Sequence, residues 1–184
     1  MRGIDFTVRS PKHLIIWLII IAVGAAITQM IRDWSLPPEG PPKPTGSAVA
    51  GRARVVDGDS LTIGTARIRL FGIDAPEGKQ QCRSAQNRGY PCGEDARRAL
   101  IGLIGGREVS CTPVGVSHDR SVAVCTVEGR DLSEAQVRAG HALELRQHSK
   151  GRYAAAEREA RDARRGLWAG DFERPAEWRR AHMR

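Results

Sequence analysis

The sequence predicts a small α+β domain built on a five-stranded β-barrel. Short β-branched and aliphatic runs, bounded by glycine-containing and acidic turns, recur between residues 54 and 127. One helical pattern interrupts these runs and the others follow them, so strands and helices do not alternate regularly, which favours α+β over parallel α/β folds. The number of strands fits a barrel better than a sandwich.

Each element has its own local signal. Polar and apolar residues alternate with period two most clearly in the third strand. Each predicted helix is followed directly by a glycine, a common helix stop. The predicted strands are Val55-Val56, Leu61–Ile63, Arg67–Phe71, Arg107–Thr112 and Ser121–Val127. The predicted helices are Glu94–Ile104, Leu132–Ala139 and Tyr153–Arg165.

Acidic and basic side chains crowd the first three strands. Acids on the ends of paired strands converge and repel one another unless a cation lies between them, and an oxygen-only set suits calcium or magnesium. Arginines nearby suit a phosphate group. By itself Asp57-Gly58-Asp59 could be a plain hairpin turn, and Asp57 keeps that alternative. The residues concerned are Asp57, Asp59, Arg67, Arg69, Asp74 and Glu77, and together they predict a phosphodiesterase-like centre.

The chain is basic overall. Its 184 residues leave room for one domain with appendages, and its net charge is +8. This charge favours a polyanionic partner, either nucleic acid or an anionic membrane surface. Solubility alone is the plain alternative, so composition does not decide between these functions.

An apolar run from Leu14 to Ile31 precedes the domain and is near the lower length limit of a membrane-spanning helix. Basic residues before it predict that residues 1–13 are cytoplasmic and that the domain lies outside the cell membrane. A signal peptide cleaved near residues 22–26, followed by secretion, is the alternative. The proline-rich segment 32–47 is expected to be a semi-rigid linker, followed by a domain over 48–170 and a tail over 171–184.

Four cysteines agree with export, because disulfides persist in oxidising compartments. Four thiols allow three pairings. Cys111 and Cys125 are equidistant from His118, at the middle of a predicted hairpin, so they should face each other. Cys82 and Cys92 would then close a local loop. Buried free thiols are an alternative, and zinc ligation is disfavoured because no CxxC pair is present.

Two motifs resemble the signature of the staphylococcal nuclease (thermonuclease) family: VVDGDS at residues 55–60 and RLFGIDAPE at residues 69–77. Further similarity lies in the arginine and VAV run at 120–124, in LSEA at 132–135, in VRAG at 137–140 and in GLW at 166–168. The similarity covers about residues 50 to 170. It implies an OB-fold barrel with about three packed helices and a calcium-dependent endonuclease acting on DNA and RNA.

The same resemblance implies a site for one calcium ion per domain. Asp59 and Asp74 would be its carboxylate ligands, and Ala75 would contribute its backbone carbonyl. Asp57 would act through the water shell of the metal. The family commonly has threonine at the position of Ala75, and a backbone ligand is compatible with that change.

Catalytic roles follow from the resemblance in the same way. Glu77 would orient or deprotonate the attacking water, and Arg69 and Arg120 would hold the phosphate. The family usually has a D-x-Y-G-R pattern before the last strand, whereas this chain has VSHDR at residues 116–120. A solvated turn arginine beside Asp119 is therefore the alternative for Arg120.

The leading interpretation is an exported, membrane-tethered calcium-dependent nuclease, with nucleic acid as substrate and no obligate protein partner. One alternative is a non-catalytic OB-fold module that binds nucleic acid or a protein. Another is a structural protein of the cell envelope whose basic face contacts anionic lipid. The acids and arginines of the two motifs favour the enzyme, because the alternatives do not require them.

Overall fold

A computed structural model of the chain describes residues 15, 19–25, 40 and 42–182. The chain divides into two units, Met1–Pro38 and Glu39–Arg184. In the first unit, residues 19–25 are helical. Most of the predicted transmembrane segment, 14–31, lies outside the described residues, and no described helix combines the length and apolar character needed to span a bilayer. The membrane anchor stays a prediction.

The second unit is a mixed structure of short strands and helices. Its strands are β1 (Val49–Val55), β2 (Ser60–Ile63), β3 (Ala66–Leu70), β4 (Ile73–Asp74), β5 (Cys82–Arg83), β6 (Gly89–Tyr90), β7 (Glu108–Ser117), β8 (Arg120–Val127), β9 (Arg130–Asp131) and β10 (Leu143–Glu144). Its helices are α1 (Cys92–Ile104), α2 (Leu132–Arg138), α3 (Arg146–Ser149), α4 (Ala154–Asp162) and α5 (Pro175–His182), with a 3-10 helix at Gly166–Ala169.

Five of the strands close a barrel. β1 pairs antiparallel with β2 and with β7, β2 pairs with β3, and β7 pairs with β8. β3 and β8 then pair in parallel, with Ile68 opposite Ser121, and this pairing completes the ring. The predicted α+β class and five-stranded OB-fold barrel are confirmed.

The barrel interior follows the alternation in the sequence. Ile68 and Leu70 of β3 are buried, whereas Arg67 and Arg69 are more exposed, as expected for side chains that alternate between the faces of a strand. Leu100 of α1 is fully buried in the same apolar cluster. The strand that carries Arg69 is therefore fixed by core packing on its other face.

More helices are present than the predicted number of about three. α1, α2 and α4 correspond to the three predicted helices, with shifted ends. α3 is only four residues long, too short for a helical period to show in the sequence. α5 lies in the tail 171–184, for which no element was predicted.

Both predicted disulfides, Cys82–Cys92 and Cys111–Cys125, are present. Cys111 lies directly opposite Cys125 in the β7–β8 ladder, as the symmetry of the hairpin about His118 predicts. The Cys82–Cys92 bond joins the loop that follows Glu77 to the first residue of α1. The two bonds thus fix the β7–β8 hairpin and the loop that follows Glu77.

Replacing Cys111 and Cys125 together by alanine is expected to lower the free energy of unfolding by about 3 kcal/mol, because the bond closes a loop of 14 residues in the unfolded chain. Urea unfolding of the oxidised protein measures this loss. The Cys82→Ala/Cys92→Ala variant is the comparison. Its loss should be smaller, because that bond closes a shorter loop of 10 residues. A urea midpoint unchanged by removal of the Cys111–Cys125 bond would contradict the prediction.

Candidate active site

The turn between β1 and β2 presents Asp57 and Asp59. One carboxylate oxygen of Asp57 accepts a hydrogen bond from the N–H of Asp59 at 3.0 Å, the bond of an Asx turn. Gly58 is packed so closely that an added Cβ would lie 2.7 Å from the methyl groups of Ala75 and Ala96. Any other residue would displace one of these neighbours. The turn therefore packs tightly between the segment that contains Ala75 and helix α1.

Asp59 is buried and accepts three further bonds. Its partners are the hydroxyl of Ser60 at 2.9 Å, the N–H of Ala75 at 3.2 Å and Nη2 of Arg69 at 3.0 Å. Burial raises the pKa of Asp59 to about 7, and the positive charge of Arg69 opposes that rise. A cation bound at this carboxylate would also favour its charged form.

Asp74 and Asp59 accept hydrogen bonds from the same nitrogen atom. It lies in β4, opposite Leu143 of β10, with a side chain that is only 4% exposed. Its Oδ1 accepts a hydrogen bond at 2.8 Å from the same Nη2 of Arg69 that reaches Asp59. The guanidinium of Arg69 therefore lies between the two acids and offsets their repulsion.

Glu77 is the more accessible acid, with a side chain that is 24% exposed. Its Oε1 accepts a hydrogen bond of 2.6 Å from Nη1 of Arg179, on α5. The same guanidinium reaches Asp74 with two bonds, of 2.9 and 3.2 Å. Although burial alone would lower the pKa of Arg179, its bonds to the two acids leave that pKa above the ordinary value.

The backbone at Glu77 is fixed from two sides. Gly93, in the first turn of α1, lies so close that an added Cβ would be 1.8 Å from the carbonyl oxygen of Glu77. Gln80 is fully buried, and its Oε1 accepts a hydrogen bond from the N–H of Glu77 at 3.2 Å. The position of this acid therefore depends on a glycine and a glutamine that no motif identified.

Arg120, the first residue of β8, lies at the edge of the centre. Its Nη1 donates to the hydroxyl of Ser60 at 3.3 Å, and that hydroxyl donates to Asp59. Beside it is a cavity of about 280 Å³ whose lining includes Arg54, Arg67 and Arg120. Arg120 makes no ion pair within the described residues, so its guanidinium is available to an anion.

Gln136 of α2 ties the Asp57–Asp59 turn to α1. It is fully buried, and its Nε2 donates to the carbonyl oxygens of Gly58 at 2.8 Å and Ala96 at 3.0 Å. Gln136→Met keeps the length of the side chain but leaves the Gly58 carbonyl without this donor. We expect a loss of about 1–3 kcal/mol in the free energy of unfolding, measured by urea titration.

Gln147, an exposed residue of α3, supplies the control for this change. Gln147→Met removes an equivalent amide from the surface, where its contact is with the adjacent His148. Its unfolding free energy should stay close to that of the parent protein. Equal losses from the two methionine variants would contradict a role of Gln136 in holding the turn.

The predicted site residues thus fall into two groups. Asp59, Arg69, Asp74 and Glu77 converge through direct bonds or through Arg179, and Arg120 joins them through Ser60. Asp57 is bonded within the turn, and Ala75 contributes its N–H to Asp59. No cluster of three or more histidine, cysteine, aspartate or glutamate side chains suited to a metal occurs in the described part of the chain. The metal-ligand roles remain predictions.

Arg179 is the site residue that sequence reasoning missed. Pro175 at the start of α5 and basic residues in its last turn are helix signals that could have placed a helix in the tail. They do not show that the helix packs back on Glu77. Arg179 and Asp74 are 105 residues apart in the sequence, so no local sequence pattern predicts the hydrogen bond between them.

A family model described as "Staphylococcal nuclease homologue" matches residues 67–170, more than half of the chain. The chain belongs to this family. The matched range contains Arg69, Asp74, Glu77 and Arg120, begins after Asp59 and ends before α5. The staphylococcal nuclease-like domain thus receives Arg179 from a segment outside the family match.

Several named proteins are similar to this chain. The succinoglycan biosynthesis protein ExoI of Rhizobium meliloti is 31% identical over 123 residues, covering 65% of this chain and 64% of that protein. The probable staphylococcal-like nuclease CAN2 of Oryza sativa subsp. japonica is 38% identical over 125 residues, covering 66% and 31%. The probable endonuclease LCL3 of Schizophyllum commune is 33% identical over 138 residues, covering 64% and 46%. The chain spans less than two thirds of the length of each.

Proposed function

We propose that the chain is a calcium-dependent nuclease that hydrolyses phosphodiester bonds of DNA, RNA or both. The observation that carries the proposal is the meeting of Asp59 and Asp74 at Arg69, with Glu77 joined to Asp74 through Arg179, in one centre of a staphylococcal nuclease-like domain. The names of the rice and Schizophyllum relatives, a nuclease and an endonuclease, support the same activity.

The donor chemistry of the centre fits a hard cation. Two buried carboxylate oxygens, from Asp59 and Asp74, face the same point in space, which Nη2 of Arg69 fills, and oxygen-only sites suit calcium. These two acids would hold the ion, with the carbonyl of Ala75, and Asp57 would act through water. Calcium there would supply charge neutralisation at a phosphate oxygen and a lower pKa for water.

The protein's own side chains would then carry the proton and the charge. Glu77 would take a proton from the water whose oxygen attacks phosphorus, and the bond from phosphorus to the leaving oxygen would break as the new bond forms. Arg69 and Arg120 would donate hydrogen bonds to the phosphate oxygens, where negative charge accumulates in the transition state. Preorganised donors of this kind typically contribute about 2.7–4 kcal/mol each to the barrier.

Export and tethering belong to the same proposal. The apolar run Leu14–Ile31 and the basic residues before it support a single-pass anchor with the domain outside the cytoplasm. The two disulfides support an oxidising compartment. Separating membrane and soluble fractions of the producing cell, with the mass of the mature chain, would distinguish an anchored protein from a cleaved and secreted one.

A binding module is the second candidate. In the described residues all three acids of the centre, Asp59, Asp74 and Glu77, are already paired with arginine. In addition, the Rhizobium relative is named for succinoglycan biosynthesis and not for nuclease activity. Under this alternative the basic surface would hold nucleic acid without cutting it.

One assay separates the two candidates. The oxidised full-length chain is incubated with linear and circular DNA and RNA, in calcium, in magnesium and in chelator. Calcium-dependent cleavage that disappears in chelator would support the nuclease, and cleavage of closed circles would make it an endonuclease. Retention of nucleic acid without cleavage in every metal condition would favour the binding module.

A further inference from the structure

The C-terminal helix α5 supplies a guanidinium to the centre from outside the range of the family match. Arg179 forms a bidentate pair with Asp74 and a third bond with Glu77. Its side chain is 32% exposed, so most of it is removed from water. The group therefore joins the two acids that flank the turn at Ala75-Pro76.

The segment that carries Arg179 is held on the loop that carries Glu77. The backbones of Arg83 and Asp171 exchange two hydrogen bonds, of 2.8 and 3.0 Å. Nε2 of the buried Gln80 donates to the carbonyl of Glu173 at 2.7 Å, while its Oε1 accepts from the N–H of Glu77. Gln80 thus holds the tail and the backbone of Glu77 together. This connection places Arg179 next to the acids of the centre.

The two oxygens of Asp74 have different surroundings. Oδ1 accepts hydrogen bonds from Nη2 of Arg69 at 2.8 Å, the nitrogen that also reaches Asp59, and from Nη1 of Arg179 at 2.9 Å. Oδ2 is bonded to Nη2 of Arg179 at 3.2 Å. A cation between Asp59 and Asp74 would share Oδ1 with Nη1 of Arg179, whereas the bonds of Arg179 to Oδ2 and to Glu77 do not use that oxygen. Because a guanidinium fork is planar and rigid, these bonds fix the distance between Asp74 and Glu77.

We propose that Arg179 is a positioning residue of the nuclease reaction, which holds the carboxylate of Glu77 in place relative to Asp74. The proposal rests on the proposed function, because it takes Glu77 as the group that receives the proton. Arg69 bonds to Asp59 and Asp74, whereas Arg179 bonds to Asp74 and Glu77. Arg179 therefore acts through Glu77 and not through the phosphate.

The test is steady-state kinetics of Arg179→Met in the full-length chain at saturating calcium. We expect kcat to fall about 10- to 100-fold, the usual effect of losing a supporting partner of a metal site, with KM little changed because Arg69 and Arg120 are intact. Arg179→Lys should recover part of the loss, since a single ammonium restores the charge but cannot bridge both acids.

Arg180→Met is the matched control. Arg180 is the next residue of α5, is exposed, and makes no ion pair in the described part of the chain, so its kcat should equal that of the parent. A kcat of Arg179→Met that is unchanged or higher at saturating calcium would overturn the proposal, since Arg179 would then be only a counter-ion of the acids. Equal losses in the two methionine variants would overturn it as well.

A second measurement does not depend on activity. Urea unfolding of calcium-free Arg179→Met, Glu77→Gln and the double variant forms a double-mutant cycle. Coupled residues make the double variant more stable than the sum of the single losses predicts, whereas additive losses would overturn the assignment. If the parent protein cleaves no nucleic acid, the proposed function fails, and this cycle alone decides whether Arg179 holds Glu77.

Discussion

Glu77→Gln is expected to slow phosphodiester hydrolysis by about 10²- to 10⁴-fold, the usual range for losing a general base. The amide has the shape of the carboxylate but cannot take the proton of the attacking water. Calcium affinity should stay within a few-fold of the parent value, because Asp59 and Asp74 are unchanged. The measurements are kcat on a labelled DNA at saturating calcium and a calorimetric calcium titration of the same protein.

Glu177→Gln is the control for this change. Glu177 is an exposed acid on α5 and makes no ion pair in the described residues, so its replacement alters net charge equally without touching the centre. Its rate should equal that of the parent chain. A Glu77→Gln protein that cleaves at the parent rate would remove Glu77 from the mechanism.

Arg69→Ala is expected to lower the free energy of unfolding of the calcium-free protein by about 3–5 kcal/mol, the usual result of removing one partner of a buried ion pair. The side chains of Asp59 and Asp74 are only 7% and 4% exposed. Without Arg69, Asp59 has no counter-charge among the described contacts. Calcium should restore part of the stability, because a ligand that binds the folded state stabilises it.

The measurement is urea unfolding in chelator and again in excess calcium, with Arg67→Ala as the control. Arg67 lies on the same strand, two positions away, but its pair with Asp119 is exposed, so a change within about 1 kcal/mol is expected. Losses of the same size for Arg67→Ala and Arg69→Ala would show that Arg69 does not stabilise buried acids. A loss in Arg69→Ala that calcium leaves unchanged would count against a metal site between them.

The barrel could be predicted because its signals are local. Alternation in Arg67–Phe71 sets which side of β3 is buried, and the hairpin centred on His118 sets the register that brings Cys111 opposite Cys125. A single alternating strand and a symmetric hairpin each specify a face or a pairing within about ten residues. Both patterns follow from the period of two along a strand, which a short stretch of sequence is enough to show.

The convergence of the acids could also be predicted, although not what lies between them. Asp59 precedes β2, which pairs with its neighbour β3, and Asp74 lies shortly after β3, in β4. The two acidic motifs predict a metal ion between these carboxylates, which stays a prediction, and in the described residues the guanidinium of Arg69 pairs with both of them. A residue type and its position predict that charges will balance, but only the packed structure tells which group balances them.

The supports of the site could not be predicted. Gln136 and Arg179 reach it across 78 and 105 residues of chain, and Gln80, which bonds to Glu77, is tied to Glu173 of the tail across 93 residues. A polar residue in a helix pattern is usually a solvated surface residue. Which ones are buried against a carbonyl or an acid depends on how distant helices pack, and no local period records that.

Because β3 and β8 pair in parallel, the candidate active site is completed at a late step of folding. Parallel strands join segments far apart in sequence, and such pairings form slowly because the long intervening chain must be ordered first. Arg69 lies opposite Ser60 in the local β2–β3 hairpin, whereas Arg120 lies on β8 and reaches Ser60 only when the ring closes. A refolding chain should therefore gain catalytic competence together with its final cooperative transition, and a half-formed barrel should have none.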